Sequence, residues 1–192
     1  MSPLNKESGF TLVELLIVMA ISGVVLAGLS NTFILQSKVY HLQEQVIDMV
    51  RNVRRAVNVL SSELKMAGYS PTRTAFDGIP YSSSQLQVLS DLNGDGDVND
   101  TNENIIYSYN AETLQILRNA GSGPLSLAGD IEAFSFEYLD AAGTATTTTA
   151  GVRQIRINIV GRTPNPDPAY APNNGYRRYE LSTLITPKNL LY

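Results

Sequence analysis

The residues best suited to chemistry lie in one acidic segment near the middle of the 192-residue chain. Oxygen-bearing side chains recur there at alternate positions, so that several of them can converge on one cation. The predicted ligands are Asp91, Asn93, Asp95, Asp97, Asn99 and Asn102. Carboxylate and amide oxygens are the ligands that calcium prefers in proteins. The segment therefore predicts a structural calcium site, and calcium is the one cofactor that the sequence suggests.

The spacing in this segment matches an EF-hand-type calcium loop and is still more similar to a dockerin repeat. A glycine stands at the sixth place, where the chain turns sharply, and the seventh residue, Asp97, would bind through its carbonyl. The twelfth place departs from the pattern, because Asn102 replaces a bidentate acid; Glu103, Asp100, a carbonyl or a water could compensate. Such a site would be weak, with a dissociation constant of about 10⁻⁴–10⁻³ M. The alternative is a solvated turn rich in Asn, Asp and Gly, which needs no metal.

The second candidate is Glu14, an acid that lies inside a long apolar segment. Residues 15–37 carry no charge, and as a helix they would span about 35 Å, enough for the roughly 30 Å apolar core of a bilayer. A carboxylate at that depth is costly unless it is paired, so Glu14 is a candidate functional residue. The alternative is a glutamate that extends its carboxylate to the membrane interface.

Two common kinds of N-terminal segment fit this region poorly. A secretory signal peptide would use Lys6 as its charged region, but the apolar stretch is too long and a cleavage site with small residues is hard to place. An ordinary single-pass anchor does not call for an acid near one end. Charge gives little orientation either, because Glu7 offsets Lys6 and basic residues also follow the apolar stretch.

Residues 8–14 read SGFTLVE, which resembles the cleavage and N-methylation site of type IV prepilins and pseudopilins. The resemblance implies that a prepilin peptidase cuts between Gly9 and Phe10 on the cytoplasmic side and methylates the new amine of Phe10. It also implies that Glu14 pairs with the N-terminal amine of a neighbouring subunit during assembly. Such a pair is physically reasonable, because a buried anion needs a cation and this amine exists only after cleavage.

The element that carries this acid is predicted to be one long helix over residues 10–67. No proline occurs between Pro3 and Pro71, and beyond the membrane segment apolar residues recur at steps of three and four residues. Gly68 supplies the stop signal. The apolar stripe would pack on the C-terminal region; the alternative is a coiled-coil seam.

From Tyr69 onward the apolar period changes from helical to alternating, which is typical of strands with one buried and one solvated face. The predicted strands are Gln85–Leu89, Asn104–Tyr109, Thr113–Asn119, Glu132–Leu139, Val152–Val160 and Tyr176–Ile185. The fold class is therefore α+β: a long N-terminal transmembrane-plus-amphipathic helix packs on an antiparallel β-sheet, and the prepilin resemblance implies the type IV pilin fold. The predicted domains are a prepilin leader peptide (residues 1–9), the transmembrane and assembly half of the helix (10–37), its amphipathic half (38–68) and a globular β-sheet domain (69–192).

Softer patterns indicate one branch of this family. The segments LSSELKMAGYSP, IEAFSFEYLDAAG and VRQIRINIVGRT resemble minor pilins of the PilW type and the related type II secretion pseudopilin J. The resemblance implies a minor pilin, a structural subunit that is processed by prepilin peptidase and is incorporated into a type IV pilus or initiates it. The alternatives are a type II secretion minor pseudopilin of the filament tip, and a pilus-associated adhesin or DNA-binding subunit.

The same resemblance implies partners and a location. The partners would be other pilins or pseudopilins in a filament, the prepilin peptidase and the inner-membrane assembly platform. The chain would first cross the bacterial inner membrane once, with its N-terminus cytoplasmic and its C-terminal domain periplasmic. It would then move into the pilus at the cell surface.

Composition argues against several other functions. The chain has no cysteine, which excludes a disulfide framework and thiolate chemistry, and its formal net charge of −4 gives no argument for nucleic acid as a partner. Three tyrosines beside Arg177 and Arg178 could stack on DNA bases, but partly buried strand tyrosines with a solvated arginine pair are preferred. The only histidine, His41, has no partners at catalytic or ligand spacing, and the sequence therefore does not predict an enzyme.

Overall fold

The computed structural model describes residues 9–190, and within them one long helix is followed by seven strands. Helix α1 spans Leu12–Met66. The strands are β1 (Leu86–Leu89), β2 (Asn104–Asn110), β3 (Gln115–Asn119), β4 (Pro124–Ala128), β5 (Ile131–Leu139), β6 (Gln154–Arg162) and β7 (Arg178–Ile185). Short 3₁₀ turns lie at Thr149–Gly151, Pro172–Gly175 and Lys188–Leu190. Of the predicted leader peptide, only Gly9 belongs to the described residues.

The chain divides into two compact units after residue 44, and the first unit contains the apolar part of α1. Side chains are exposed throughout residues 12–36. Two hydroxyls in this stretch bond within the helix: Ser30 Oγ donates to the Leu26 carbonyl (2.8 Å), and Thr32 Oγ1 donates to the Gly28 carbonyl (3.0 Å). Helix α1 is long and apolar enough to cross a membrane by length and composition. With these hydroxyls bonded internally, the helix suits a solvent that offers no hydrogen bonds.

In the second unit, the later turns of α1 bury one stripe of side chains. The buried residues are Met49, Val53, Ala56, Val57, Leu60 and Leu64. Steps of three and four residues place them on one face of the helix. Most of this stripe shares a core with strand residues, among them Tyr107, Ile116 and Ile157. The predicted packing of an N-terminal helix on antiparallel strands is therefore confirmed.

The strands form two antiparallel sheets in the described part of the chain, with the orders β1-β2-β3-β4 and β5-β6-β7. Strand β6 lies at the centre of the second sheet. Its Ile155, Ile157 and Ile159 are fully buried, and Arg156 and Asn158 alternate with them, as the sequence pattern predicts. The α+β class is confirmed, while the single predicted sheet is replaced by two.

A few element boundaries differ from the prediction. Helix α1 ends at Met66, one residue before the predicted end, and Gly68 then adopts the left-handed backbone conformation with φ of 75°. Strand β4 is absent from the predicted set. It begins with Pro124, is mostly exposed and pairs only with β3, so it shows neither a clear alternation nor the composition of a central strand.

A polar cluster is enclosed between α1, β2 and β3. Glu63 on α1 accepts a hydrogen bond from the Tyr107 hydroxyl, and Arg118 Nη2 lies 2.8 Å from Glu63 Oε1. The side chains of Glu63 and Arg118 are only 20% and 25% exposed. Burial, together with the Glu63 carboxylate, raises the pKa of Tyr107, so its hydroxyl stays protonated and can donate. The cluster therefore ties the helix to the first sheet.

Glu63→Ala should destabilise the fold by about 2 kcal/mol, because Tyr107 and Arg118 lose the acceptor that they share in a partly buried site. Urea unfolding of the full chain in an uncharged detergent, followed by tyrosine fluorescence, measures this loss. Tyr107→Phe keeps the ion pair and should cost about 1 kcal/mol. Glu112→Ala removes an exposed acid and serves as the control. Equal unfolding free energies for Glu63→Ala and Glu112→Ala would contradict the prediction.

Candidate functional site

The predicted site around Glu14 lies where α1 begins. Thr11 directly precedes the helix, and its Oγ1 accepts a hydrogen bond from the Glu14 amide (3.2 Å), while its carbonyl accepts one from the Leu15 amide (3.2 Å). Thr11 is thus the N-cap residue, and Glu14 stands at the third helical position, the spacing of a capping box. A negative side chain in the first turn also interacts favourably with the helix dipole. The Glu14 amide thus helps to cap the helix, and an acid at this position is expected to favour the helix start as well. A role of the carboxylate in assembly must be tested apart from this local effect.

The predicted cleavage position precedes the helix. Gly9 and Phe10 lie outside regular secondary structure, and the Phe10 side chain is 88% exposed. A Cβ atom added to Gly9 would meet no protein atom within 4 Å. Because the bond between these residues is exposed and outside any helix or strand, it is accessible to a protease.

The acidic segment, the other predicted site, forms a loop between β1 and β2. Asp91 at its start is fully buried. Its Oδ1 accepts a hydrogen bond from the Gly94 amide (2.6 Å), and its Oδ2 accepts from the hydroxyls of Ser70 (3.2 Å) and Thr72 (3.3 Å). These hydroxyls belong to the segment that follows α1 and are not anticipated by the sequence pattern. Asp91 therefore anchors the loop to the end of the helix.

The next four predicted ligands are exposed and follow one another in a chain of local turns. Asn93 Oδ1 accepts from the Asp95 amide (2.9 Å), Asp95 Oδ1 from the Asp97 amide (3.0 Å), and Asp97 Oδ1 from the Asn99 amide (2.9 Å). The bond from the Asp97 amide, and then the Asn93 side chain, lower the pKa of Asp95. Three alternate side chains of the loop thus each bind the backbone amide two residues further along the chain.

At the end of the loop, the acid lies one position beyond the predicted ligand. Asn102 has a positive φ of 70°, and its Oδ1 accepts a hydrogen bond from Arg118 Nη2 (3.3 Å). Glu103 is only 2% exposed, and one carboxylate oxygen each from Asp95, Asp97 and Glu103 lie within 4.8 Å of one another. The structure thus brings two predicted ligands together with Glu103. The alternation of β2 supplies a sequence signal for it, because residues 103, 105 and 107 share the buried face.

The arginines near the C-terminus are paired with carboxylates. Arg177 Nη2 lies 2.9 Å from Asp167 Oδ2, and Arg178 forms an ion pair with Glu132. The bond from Arg177 lowers the pKa of Asp167. The Arg177 guanidinium also lies over the Tyr170 ring, 4.7 Å from its centroid. The positive charges of Arg177 and Arg178 are therefore balanced by carboxylates within the protein. This arrangement fits the preferred interpretation of a solvated arginine pair beside partly buried tyrosines.

Comparisons with known proteins bear on the N-terminal site. Residues 4–30 match the family model of the prokaryotic N-terminal methylation motif, a range that includes Gly9, Phe10 and Glu14. No curated protein matches the chain. Among solved structures, the chain is similar to a type IV-like pilin from Thermus thermophilus, with 20% sequence identity and a TM-score of 0.47 over 73% of this chain and 97% of the other.

Proposed function

We propose that this chain, which carries the prokaryotic N-terminal methylation motif of type IV prepilins and pseudopilins, is a minor pilin, a structural subunit of a type IV pilus. The observation that supports the proposal most directly is the position of the motif. The exposed pair Gly9 and Phe10 leads at once into an apolar helix that is long enough to cross a membrane, with Glu14 in its first turn. Under the proposal, cleavage at this motif prepares the helix for assembly.

Under this proposal the subunit is processed before it assembles. A prepilin peptidase cuts between Gly9 and Phe10 on the cytoplasmic side of the inner membrane and methylates the new amine. Until extraction into the filament, the apolar part of α1 anchors the subunit in the membrane, and the C-terminal part of the chain lies in the periplasm. In the filament, apolar helices of neighbouring subunits pack against one another and bury the side chains that are exposed in residues 12–36.

Glu14 is proposed to select the register of each new subunit. Between apolar helices its carboxylate would be costly to bury without a partner. The N-terminal amine of an adjacent subunit supplies the positive charge, and only a processed subunit has that amine at Phe10. The pair would therefore form in one register and would exclude chains that still carry the leader.

The experiment that tests this function separates the charge of Glu14 from its role in capping the helix. Glutamine serves at the third position of a capping box as well as glutamate does, but it carries no charge. We expect Glu14→Gln and Glu14→Ala both to be cleaved, and both to fall roughly tenfold or more in the filament fraction, because an unpaired amine remains buried. Immunoblots of sheared filaments and of membranes measure the two populations.

Glu44→Gln is the matched control, because Glu44 lies on the same helix with its side chain 72% exposed. It should be cleaved and assembled as the wild type is. If Glu14→Gln were assembled at the wild-type level while Glu14→Ala was not, Glu14 would act only as a capping residue and the proposed pairing would be wrong.

The second candidate function is that of a type II secretion minor pseudopilin at the filament tip, since the methylation motif is common to both classes. Deletion of the gene distinguishes the two. Loss of surface pili with normal secretion supports the minor pilin, and loss of secretion with normal pili supports the pseudopilin.

A further inference from the structure

We infer that the loop of residues 91–103 is a calcium site in which Glu103, rather than Asn102, is the closing acidic ligand. The proposal is independent of assembly into a filament. Its geometric basis is that one carboxylate oxygen each from Asp95, Asp97 and Glu103 lie close together, with 4.8 Å or less between any two of these atoms. Three carboxylates that share one cation can approach in this way, whereas without it their charges repel.

The observation that points to a ligand is the incomplete hydrogen bonding of the Glu103 carboxylate. Its Oε1 accepts hydrogen bonds from the amides of Leu92 (2.8 Å) and Asn93 (3.1 Å). Its Oε2 is buried and has no hydrogen-bond partner among the described residues. A buried carboxylate oxygen requires a donor or a cation, because it has lost its contact with water. The loop therefore holds an acid in place and leaves one of its oxygens for an additional partner.

The surrounding charges do not supply that partner. The sequence contains no lysine or arginine between Arg73 and Arg118, although it has five acids between positions 91 and 103. Arg118 Nε donates to Glu63, and Arg118 Nη2 contacts both Glu63 and Asn102. None of the ion pairs found within residues 9–190 includes an acid of the loop. A divalent cation would neutralise the cluster.

The chemistry of the loop favours calcium over magnesium. Its donors are carboxylates, carried on a turn that bends at Gly94 and Gly96 with φ of 83° and 90°. Calcium accepts six to eight oxygen ligands in variable geometry, whereas magnesium requires a strict octahedron and gives up its waters reluctantly. Asp91 then has a supporting role, because it fixes the loop to Ser70 and Thr72 while Asp95, Asp97 and Glu103 bind the ion. Calcium would therefore stabilise the connection between the end of α1 and the first sheet.

The test is thermal unfolding of the full chain, freed of metal by a chelator and held in an uncharged detergent. For a dissociation constant near 10⁻³ M, about 10 mM calcium should raise the midpoint by about 3–5 °C. The same concentration of magnesium should raise it by less than about 1 °C. Isothermal titration calorimetry with calcium should give one site per chain. No rise with calcium, or an equal rise with magnesium, would overturn the proposal.

Variants show whether the response comes from this loop. Asp97→Asn removes an exposed carboxylate, and Glu103→Gln removes the charge of the buried one; both should abolish the rise with calcium. Glu112→Gln, at an exposed turn between β2 and β3, should keep the full rise. If Glu103→Gln fails to fold, Asp97→Asn decides the question. A wild-type response in Asp97→Asn would show that calcium binds elsewhere and that the assignment is wrong.

Discussion

Replacing Gly9 by valine should leave the chain uncleaved, so that it accumulates in the membrane with the proposed leader still attached. A branched side chain directly before the scissile bond would obstruct a peptidase that accepts glycine there. The structure makes the result simple to interpret, because a Cβ atom at Gly9 would meet nothing within 4 Å and the fold should not change. Immunoblots and N-terminal sequencing, which should find Phe10 as the first residue of the wild-type subunit, measure the effect.

The matched control for this prediction is Gly23→Val, the same substitution at another open position. Gly23 lies inside α1, well beyond the cleavage site, and its variant should be cleaved normally. Full cleavage of Gly9→Val would remove the basis for assigning this bond to a prepilin peptidase. A chain that is uncleaved in both variants would instead indicate a defect in membrane insertion.

The helix could be predicted closely because its signals are redundant. An uncharged stretch, the absence of proline, a stripe at steps of three and four residues and the stop at Gly68 all indicate one element. The alternation in β6 was equally informative, since Ile155, Ile157 and Ile159 leave no doubt about the buried face. Such patterns report the period of a segment and the side that it buries.

The division into two sheets could not be predicted in this way. Alternation within a strand identifies its buried face but not the strand beside it, and β4 lacks even this alternation because it is an exposed edge. Long-range contacts decide the pairing. One long-range contact beside β4 is the hydrogen bond that the Asn52 side chain on α1 donates to the Gly129 carbonyl.

In the candidate metal loop, the sequence template and the structure favour different residues for the closing ligand. The EF-hand pattern counts twelve positions and assumes that a helix follows, which assigns the last ligand to Asn102. Here a strand follows: the chain turns at Asn102, and β2 begins at Asn104. Glu103 lies directly before β2 and is buried like Ile105 and Tyr107, whereas Asn102 accepts a hydrogen bond from Arg118. The choice between Asn102 and Glu103 as the closing ligand therefore depends on the element after the loop, which the pattern itself does not contain.

Gly78→Ala should destabilise the second unit by about 3 kcal/mol. This is the larger of the effects that we expect for the two glycine-to-alanine substitutions proposed here. A Cβ atom at this position would lie 2.3 Å from the Gly68 nitrogen and 2.6 Å from its Cα. Both are backbone atoms at the end of α1, so no rotation of a side chain can relieve the clash. The carbonyl of Gly78 also accepts a hydrogen bond from the Leu89 amide, and the Leu89 carbonyl accepts one from Gly68, both at 2.8 Å.

A methyl group at Gly78 must therefore separate the end of α1 from β1 and weaken these two hydrogen bonds together. Gly129→Ala is the matched control, because a Cβ atom there meets nothing within 4 Å, and its effect should stay within about 0.5 kcal/mol. Urea unfolding followed by tyrosine fluorescence suits the comparison, since nine of the ten tyrosines follow residue 68. Similar unfolding free energies for the two variants would show that the junction has room to move, and that close contact between Gly68 and Gly78 does not fix the end of the helix.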